Sequence, residues 1–399
     1  NVDNIEAATG TGIYAQATTG SVTVDNKNAA SKIDGTAFSQ NGGYGIQAIS
    51  TTGTILVDNL AQIGDAGGTL GVDQAGIFAK LTGGGTNTVT VNNEGAIYVD
   101  GAVAPTYGIA ATSTSTGDVT INNKGLIDPP TYGLYGSGAG NVTINDSGVV
   151  LANLTGIYAE STGAAPACTS KVKVTNAATI TGTAGNGIEV NNTKAGGSAN
   201  VVVDTLAAGV VQGGANGIFT STKLAGTTQI DTGTADTKGT TVDGIHADTS
   251  GSGAIVINTG GLTQGNDDGI QADSTGGSNI TVNNNGQTTG GTGAGVKATS
   301  SGGNGVVAVN VGGATSGTIG VLASSTGTGS VTVKDVNSNS ITGTGGDGIN
   351  ASNTTGTGVV SVGTGTGDRI AGAVLGTGGD GIDAAGNSTI NVFTGNDVK

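Results

Sequence analysis

The feature that most constrains this chain is a short mark, a glycine followed by Ile, Leu or Val, that recurs throughout the sequence. Fourteen of these pairs form a series with spacings of 23 to 33 residues. Their aliphatic members are Ile13, Ile46, Ile77, Ile109, Leu134, Ile157, Ile188, Ile218, Ile245, Ile270, Val296, Val321, Ile349 and Ile382. A motif with a period of this size is typical of a repeat protein, in which each repeat packs only against its neighbours.

A second apolar mark follows in each repeat, and a third follows in many of them. The second ends a Val-Thr-Val-like run, as at Val24, Val91 and Ile121. The third comes six to nine residues later, at Ile33, Ile63, Ile97, Ile127, Val150, Ile180, Ile341 and Ile370. It fades in the middle of the chain, at residues 287–289 and 314–316.

Three short alternating runs per repeat predict three strands, each with one buried face. We therefore predict an all-β fold, a single-stranded, right-handed, three-sided parallel β-helix of about 14 coils, as one continuous domain over residues 1–399. Stacked coils would bury columns of Ile and Val, and Gly and Asn at the corners would supply positive φ. Asparagines two residues after the second mark predict an in-register ladder of Asn26, Asn59, Asn93, Asn123 and Asn176.

Composition excludes several other classes. The 79 glycines follow no three-residue period, so the chain is not collagen. Only 11 residues are aromatic (7 Tyr and 4 Phe), too few for propeller motifs. A net charge of −15 with a single arginine, Arg369, argues against nucleic acid as a partner and against direct membrane insertion. Cys168 is the only cysteine, so no intrachain disulfide can form.

The repeats resemble the passenger domains of bacterial autotransporters, the pertactin-like and adhesin-like arrays of type V secretion. Two strings carry the resemblance, Gly156-Ile157-Tyr158-Ala159-Glu160-Ser161-Thr162-Gly163 and Gly269-Ile270-Gln271-Ala272-Asp273-Ser274-Thr275-Gly276. The resemblance implies secretion, display at the extracellular face of a bacterial cell, and a C-terminal translocator barrel that this chain lacks.

Catalysis has little support in the residues. Pectin-degrading parallel β-helices need clustered carboxylates together with Arg or Lys, and no coil here supplies that combination. His246 is the only histidine, and alternation predicts that it faces solvent. We therefore expect a protein that is not an enzyme and that needs no cofactor.

The position after the Gly–Ile pair should point outward, and in the earlier repeats it is often aromatic. The candidate binding residues at this position are Tyr14, Phe78, Tyr135, Tyr158 and Phe219. Such a column would suit contacts with protein or glycan, because tyrosine combines apolar area with a polar group. Packing under corner loops is the alternative interpretation.

Aspartates form a second column two residues before the aliphatic mark, at Asp243, Asp268, Asp347 and Asp380. Asp248 and Asp273 form a neighbouring pair. Carboxylates one coil apart repel unless they are solvated or bridged, so Ca²⁺ is the metal that these residues would hold. A solvated acidic face is the alternative interpretation.

These observations predict a non-enzymatic adhesin or self-associating passenger, acting through multivalent contacts with a protein or glycan of a host or neighbouring cell. One alternative is an extracellular filament or coat subunit that stacks end to end. Another is an ice- or glycan-binding solenoid, built on outward threonines such as Thr23, Thr90 and Thr120.

Overall fold

The structure is a computed structural model that describes residues 4–6, 10–34, 43–66, 72–101, 104–128, 131–163, 169–175, 178–192, 200–205, 209–223, 225–363 and 369–395. Its contacts divide the chain into two compact units, Asn1–Ala199 and Asn200–Lys399. Each unit is all-β and consists of three parallel sheets wound as a three-sided β-helix, so the predicted fold is confirmed. One continuous domain, and the right-handed winding, stay predictions.

In the first unit, sheet 1 carries the Gly–Ile marks on strands β2 (Ile13–Ala17), β5 (Tyr44–Ser50), β8 (Ala75–Leu81), β11 (Tyr107–Ser113), β14 (Tyr132–Gly138), β17 (Thr155–Ser161) and β20 (Ile188–Asn192). Sheet 2 carries the second marks on β3 (Val22–Asn26), β6 (Ile55–Asn59), β9 (Val89–Asn93), β12 (Val119–Asn123), β15 (Val142–Asp146) and β18 (Thr169–Val174). Sheet 3 contains β1 (Asn4–Glu6), β4 (Lys32–Asp34), β7 (Gln62–Ile63), β10 (Ile97–Tyr98), β13 (Ile127–Asp128), β16 (Val150–Ala152) and β19 (Ile180–Gly182).

The second unit repeats this order. Its sheet 1 contains β23 (Ile218–Thr222), β26 (Ile245–Thr249), β29 (Ile270–Ser274), β32 (Ala294–Ser300), β35 (Ile319–Ser325), β38 (Ile349–Asn353) and β41 (Ile382–Gly386). Sheet 2 contains β21 (Asn200–Asp204), β24 (Thr228–Asp231), β27 (Ile255–Thr259), β30 (Ile280–Asn284), β33 (Val307–Val311), β36 (Val331–Asp335), β39 (Val360–Val362) and β42 (Ile390–Val392). Sheet 3 contains β22 (Val210–Gly213), β25 (Asp236–Gly239), β28 (Thr263–Gln264), β31 (Thr288–Thr289), β34 (Thr315–Gly317), β37 (Ile341–Gly343) and β40 (Val374–Gly376).

The core of each unit is a set of aliphatic columns. Strand pairing places equivalent residues of successive coils side by side, as with Ile77, Ile109 and Leu134 in sheet 1. These side chains are fully buried. Burial of each such side chain stabilises the fold by about 1.5–3 kcal/mol. The columns therefore stabilise the stack, because the apolar side chains of one coil are buried only when neighbouring coils pack against them.

The glycine of the Gly–Ile mark is required by space. At Gly108, a Cβ atom would overlap the side chain of Ile127 and the carbonyl oxygen of Gly133. The same obstruction recurs at Gly45, Gly76 and Gly133. None of these glycines has positive φ, which occurs at other positions such as Gly64 and Gly85. Close approach of the next coil, and not positive φ, therefore explains the glycine of the mark.

An amide ladder, here called the inner ladder, follows the end of sheet 2 in the first unit and is buried from Asn59 onward. Its members are Asn26, Asn59, Asn93, Asn123 and Asp146. Each Nδ2 donates to the Oδ1 one coil further on, at 2.8–2.9 Å. The predicted ladder is confirmed for its first four asparagines, and Asn176 lies outside the described residues. Asp146 occupies the next place, and its buried Oδ2 has no hydrogen-bond partner among the described residues.

Threonine replaces the third mark where that mark fades. Thr237, Thr263, Thr288 and Thr315 pair in register in sheet 3 of the second unit, and all four are buried. Threonine is β-branched like Val and Ile, so it fills the same place on the pleat. The third strand therefore persists where its apolar signal is lost.

Candidate functional site

The five predicted outward aromatics do not form one continuous column. In the first unit the position after the mark runs Tyr14, Gln47, Phe78, Ala110, Tyr135, Tyr158 and Glu189 in register. Tyr135 and Tyr158 are neighbours, and their rings stack with centroids 4.9 Å apart. Tyr14 is 55% exposed, and Gln47 lies between it and Phe78. Phe219 belongs to the second unit.

Two tyrosines that the sequence analysis missed complete an aromatic cluster. Tyr107 and Tyr132 begin strands β11 and β14, and their rings stack at 5.6 Å. Tyr132 meets Tyr135 and Tyr158 edge-on, at 5.7 and 6.2 Å. We call Tyr107, Tyr132, Tyr135 and Tyr158 the tyrosine cluster. The signal that could have revealed it is a second aromatic position, two residues before the aliphatic mark, which is also occupied by Tyr44.

Backbone register explains how four rings fit on one face. Ala110 pairs with Tyr135 one coil away, so a small side chain leaves room for the ring of Tyr107, which meets Tyr135 edge-on at 5.1 Å. All four tyrosines are half-buried. Their rings are therefore held by stacking with neighbours while part of each remains accessible.

The hydroxyl groups of the tyrosine cluster are polar but uncharged. Burial raises the pKa of all four hydroxyls, that of Tyr107 to about 12. The hydroxyl of Tyr158 donates to Oε2 of Glu160 at 3.1 Å. Carboxylates contribute as well, since Glu189 raises the pKa of Tyr132. The phenols therefore remain neutral hydrogen-bonding groups at physiological pH.

His246 is not a freely solvated residue, so that expectation is wrong. Its side chain is 18% exposed, and Nδ1 lies 2.8 Å from Asp243 and Nε2 3.0 Å from Asp248. Its ring also contacts that of Phe219, with centroids 5.4 Å apart. Burial lowers the pKa of His246, but hydrogen bonds and charge from the two aspartates outweigh burial and raise it to about 9. Alternation predicted the outward direction and missed the carboxylates on either side.

The predicted aspartate column is present as two local pairs. Asp243 accepts a hydrogen bond from the backbone N–H of Asp268 at 2.8 Å. Asp347 accepts one from the N–H of Asp380, also at 2.8 Å. In each pair the carboxylate of one coil therefore caps the backbone of the next.

Two groups have ligand atoms close enough for a cation: Asp243 with Asp267 and Asp268, and His246 with Asp248 and Asp273. Several of these oxygens already have partners. Asp268 accepts from the N–H of Ala294 at 2.5 Å and lies 3.6 Å from Nζ of Lys297. These contacts favour a structural role for the aspartates. Ca²⁺ prefers about seven oxygen ligands, and several of the oxygens here already have other partners. Calcium binding stays a prediction.

Comparison with known proteins found no match to this chain. No protein-family model, curated protein or solved structure matches it. Within the described part of the chain, no helix is both long and apolar enough to cross a membrane. The autotransporter resemblance stays a prediction.

Proposed function

We propose that this protein is a non-enzymatic binding β-helix of the bacterial cell surface, an adhesin-like passenger that contacts protein or glycan through the tyrosine cluster. The observation that carries the proposal is the packing of four half-buried tyrosine rings on one sheet face. Large aromatic side chains dominate the binding energy of protein interfaces, and they suit partners that offer both apolar and polar groups.

Rigidity supports this assignment. Tyr107 and Tyr132 stack on each other, as do Tyr135 and Tyr158, and the two stacked pairs meet edge-on. Side chains that are already ordered lose little conformational entropy when a ligand binds. A modest patch of this kind gives weak single contacts, which become effective when many copies act together on a surface.

The environment of the only histidine supports a structural role for that residue. With a pKa of about 9, His246 is protonated at neutral pH and forms ion pairs with the neighbouring carboxylates. Both of its ring nitrogens also face carboxylates, at 2.8 and 3.0 Å. The Asp243–His246–Asp248 arrangement is best explained as an ion-paired support for the sheet face beside Phe219.

The test is binding of the full chain to host-type cells and to itself, with Tyr132 and Tyr158 both changed to Ser. We expect at least tenfold weaker binding, because each stacked pair loses one ring. Tyr14→Ser is the matched control, since Tyr14 is exposed and lies outside the cluster. Circular dichroism verifies that all proteins remain β-rich.

Three results would contradict the proposal. One is unchanged binding of the double variant, and another is an equal loss in Tyr14→Ser. The third is the absence of any cell binding by a protein that forms end-to-end polymers under the electron microscope, which would favour the filament alternative.

A further inference from the structure

An open groove follows the corner between sheets 2 and 3 of the first unit, where β9, β12 and β15 end. Its volume is about 630 Å³, and every described residue that lines it is polar. It is separate from the tyrosine cluster, none of whose members lines it. We call it the corner groove.

One wall of the corner groove is a second amide ladder, here called the outer ladder. Asn92, Asn122 and Asn145 are half-buried and pair in register one residue before the inner ladder. Each Nδ2 donates to the coil before it, from Asn92 to Asp58 at 2.6 Å, from Asn122 to Asn92 at 2.7 Å, and from Asn145 to Asn122 at 2.8 Å. These bonds fix the orientation of every amide.

The outer ladder leaves hydrogen-bonding capacity unused. A carboxamide nitrogen has two N–H groups, and the ladder uses one of them. No described residue accepts a hydrogen bond from the second N–H of Asn92, Asn122 or Asn145. The wall therefore presents a regular row of oriented donors, spaced by the coil repeat of about 4.8 Å.

The facing wall of the groove carries one ion pair and two hydroxyl groups. Nζ of Lys124 lies 2.7 Å from Oε1 of Glu94, and both side chains are exposed. The side-chain hydroxyls of Thr175 and Ser147 make only long contacts to backbone carbonyls, at 3.5 and 3.4 Å. The described lining residues thus combine neutral amides and hydroxyls with one ion pair and the buried carboxyl group of Asp146, and they include no aromatic or aliphatic side chain.

We propose that the corner groove binds a neutral, hydroxyl-rich glycan chain. Each sugar hydroxyl donates one hydrogen bond and accepts others, which matches a row of amides and hydroxyls. A polyanion is disfavoured, because Lys124 is the groove's only described cation and is paired with Glu94. An apolar peptide is disfavoured because the described lining has no apolar side chain for it to contact. The coil repeat is close to the length of one sugar residue, so successive sugars can meet successive amides.

The second unit contains a matched control. Asn258, Asn283 and Asn310 form the same outer-ladder bonds at 2.7 Å. At the places of Glu94, Lys124 and Ser147 the second unit has Gly260, Asn285 and Gly312, so two of the three facing side chains are missing there and no ion pair is present at these places. Asn122 and Asn283 therefore have the same structural role, and only Asn122 lies in the groove.

The experiment is calorimetric titration of the full chain with chitohexaose, cellohexaose and maltohexaose, with polygalacturonate as the anionic comparison. We expect saturable binding of at least one neutral hexasaccharide and none of polygalacturonate. Asn122→Ala should weaken that binding about tenfold, the effect of losing one or two hydrogen bonds. Asn283→Ala should leave it unchanged. Thr175→Val, which does not disturb the ladder, should also weaken binding, and it keeps the test valid if Asn122→Ala folds poorly.

Failure of all three neutral sugars to bind would overturn the proposal. It would equally be overturned if Asn283→Ala weakened binding as much as Asn122→Ala, or if neither groove variant changed it. The tyrosine double variant should bind these sugars normally, so this result is independent of cell adhesion.

Discussion

The two units build the same three-sided coil with different residues in sheet 3. In the first unit the buried column contains Ile33, Ile63, Ile97, Ile127, Val150 and Ile180. In the second unit its central members are threonines, and the Oγ1 atoms of Thr237 and Thr263 are buried without a hydrogen-bond partner among the described residues. An unpaired buried hydroxyl costs about 1–3 kcal/mol. Shape and backbone pairing thus maintain the column even where hydrophobicity is reduced.

Within the threonine column, neighbours differ in how they are satisfied. Thr288 donates to Oδ1 of Asn284 at 2.8 Å, and Nδ2 of Asn284 donates to Thr315 at 2.9 Å. Here a polar core network has formed, while Thr237 and Thr263 have none. The second unit therefore tolerates polar atoms at a cost that depends on local partners.

The largest expected effect tests whether this tolerance extends to charge. Ile270 is fully buried in sheet 1 of the second unit, and Ile109 has the same place in the first. We expect Ile270→Asp and Ile109→Asp each to destabilise by about 5 kcal/mol or more, because an unpaired carboxylate enters an apolar column. Urea denaturation followed by circular dichroism measures both. A small loss in Ile270→Asp alone would mean that the second unit also tolerates a buried charge.

The next effect is a pH dependence that should arise in the first unit. Burial raises the pKa of Asp146 from 3.8 to about 7, and hydrogen bonds from Asn123 and Gly148 only partly oppose this. The folded state then holds a proton that the unfolded state releases, so stability falls as pH rises from about 4 to about 7 and is level above that. At about 1.4 kcal/mol for each pH unit, the cost reaches about 4 kcal/mol.

Asp146→Asn should remove this dependence. An asparagine Nδ2 would take the place of Oδ2 and donate to the carbonyl of Gly148, as Asn123 does to that of Gly125 at 2.8 Å. Urea titrations at pH 4 and pH 8 should give the variant similar stability at both values, with its advantage over the wild type at pH 8. Parallel pH profiles for the two proteins would show that Asp146 is ionised without penalty.

The smallest effect separates the two kinds of buried threonine. Thr263→Val should stabilise by about 1 kcal/mol, since it replaces an unpaired hydroxyl with a methyl group of similar size. Thr288→Val should destabilise by about 1 kcal/mol, because Asn284 loses a donor. Melting temperatures of the two variants are the measurement, and a shift in the same direction for both would remove the distinction.

The sequence predicted the fold well because the periodic residues are also the buried ones. Every aliphatic mark from Ile46 to Ile349 is fully buried, since one register operates in every coil. The apolar pattern did not mark the threonine strands of sheet 3. A β-branched polar residue can replace Ile by shape, but it carries no apolar signal in the sequence.

The candidate sites were predicted less completely, because side chains meet across coils that are distant in sequence. Tyr132 and Tyr158 are 26 residues apart in number and have ring centroids 6.2 Å apart. The carboxylates around His246 were in the sequence, but alternation describes only the direction of a side chain and not its partners. Likewise, the Asp243–Asp268 contact involves backbone N–H, which no residue pattern records.

The two asparagine ladders of the first unit have opposite polarity. Inner-ladder amides donate toward the following coil, and outer-ladder amides donate toward the preceding one. The last acceptor of each ladder is an aspartate, Asp146 for the inner ladder and Asp58 for the outer. An ionised aspartate accepts hydrogen bonds and donates none, so the row of donors ends there. Aligned amides polarise one another along a row, so a single ladder would build up a dipole with every added coil. Two antiparallel rows cancel that field, and the corner can therefore be lengthened coil by coil without accumulating electrostatic strain.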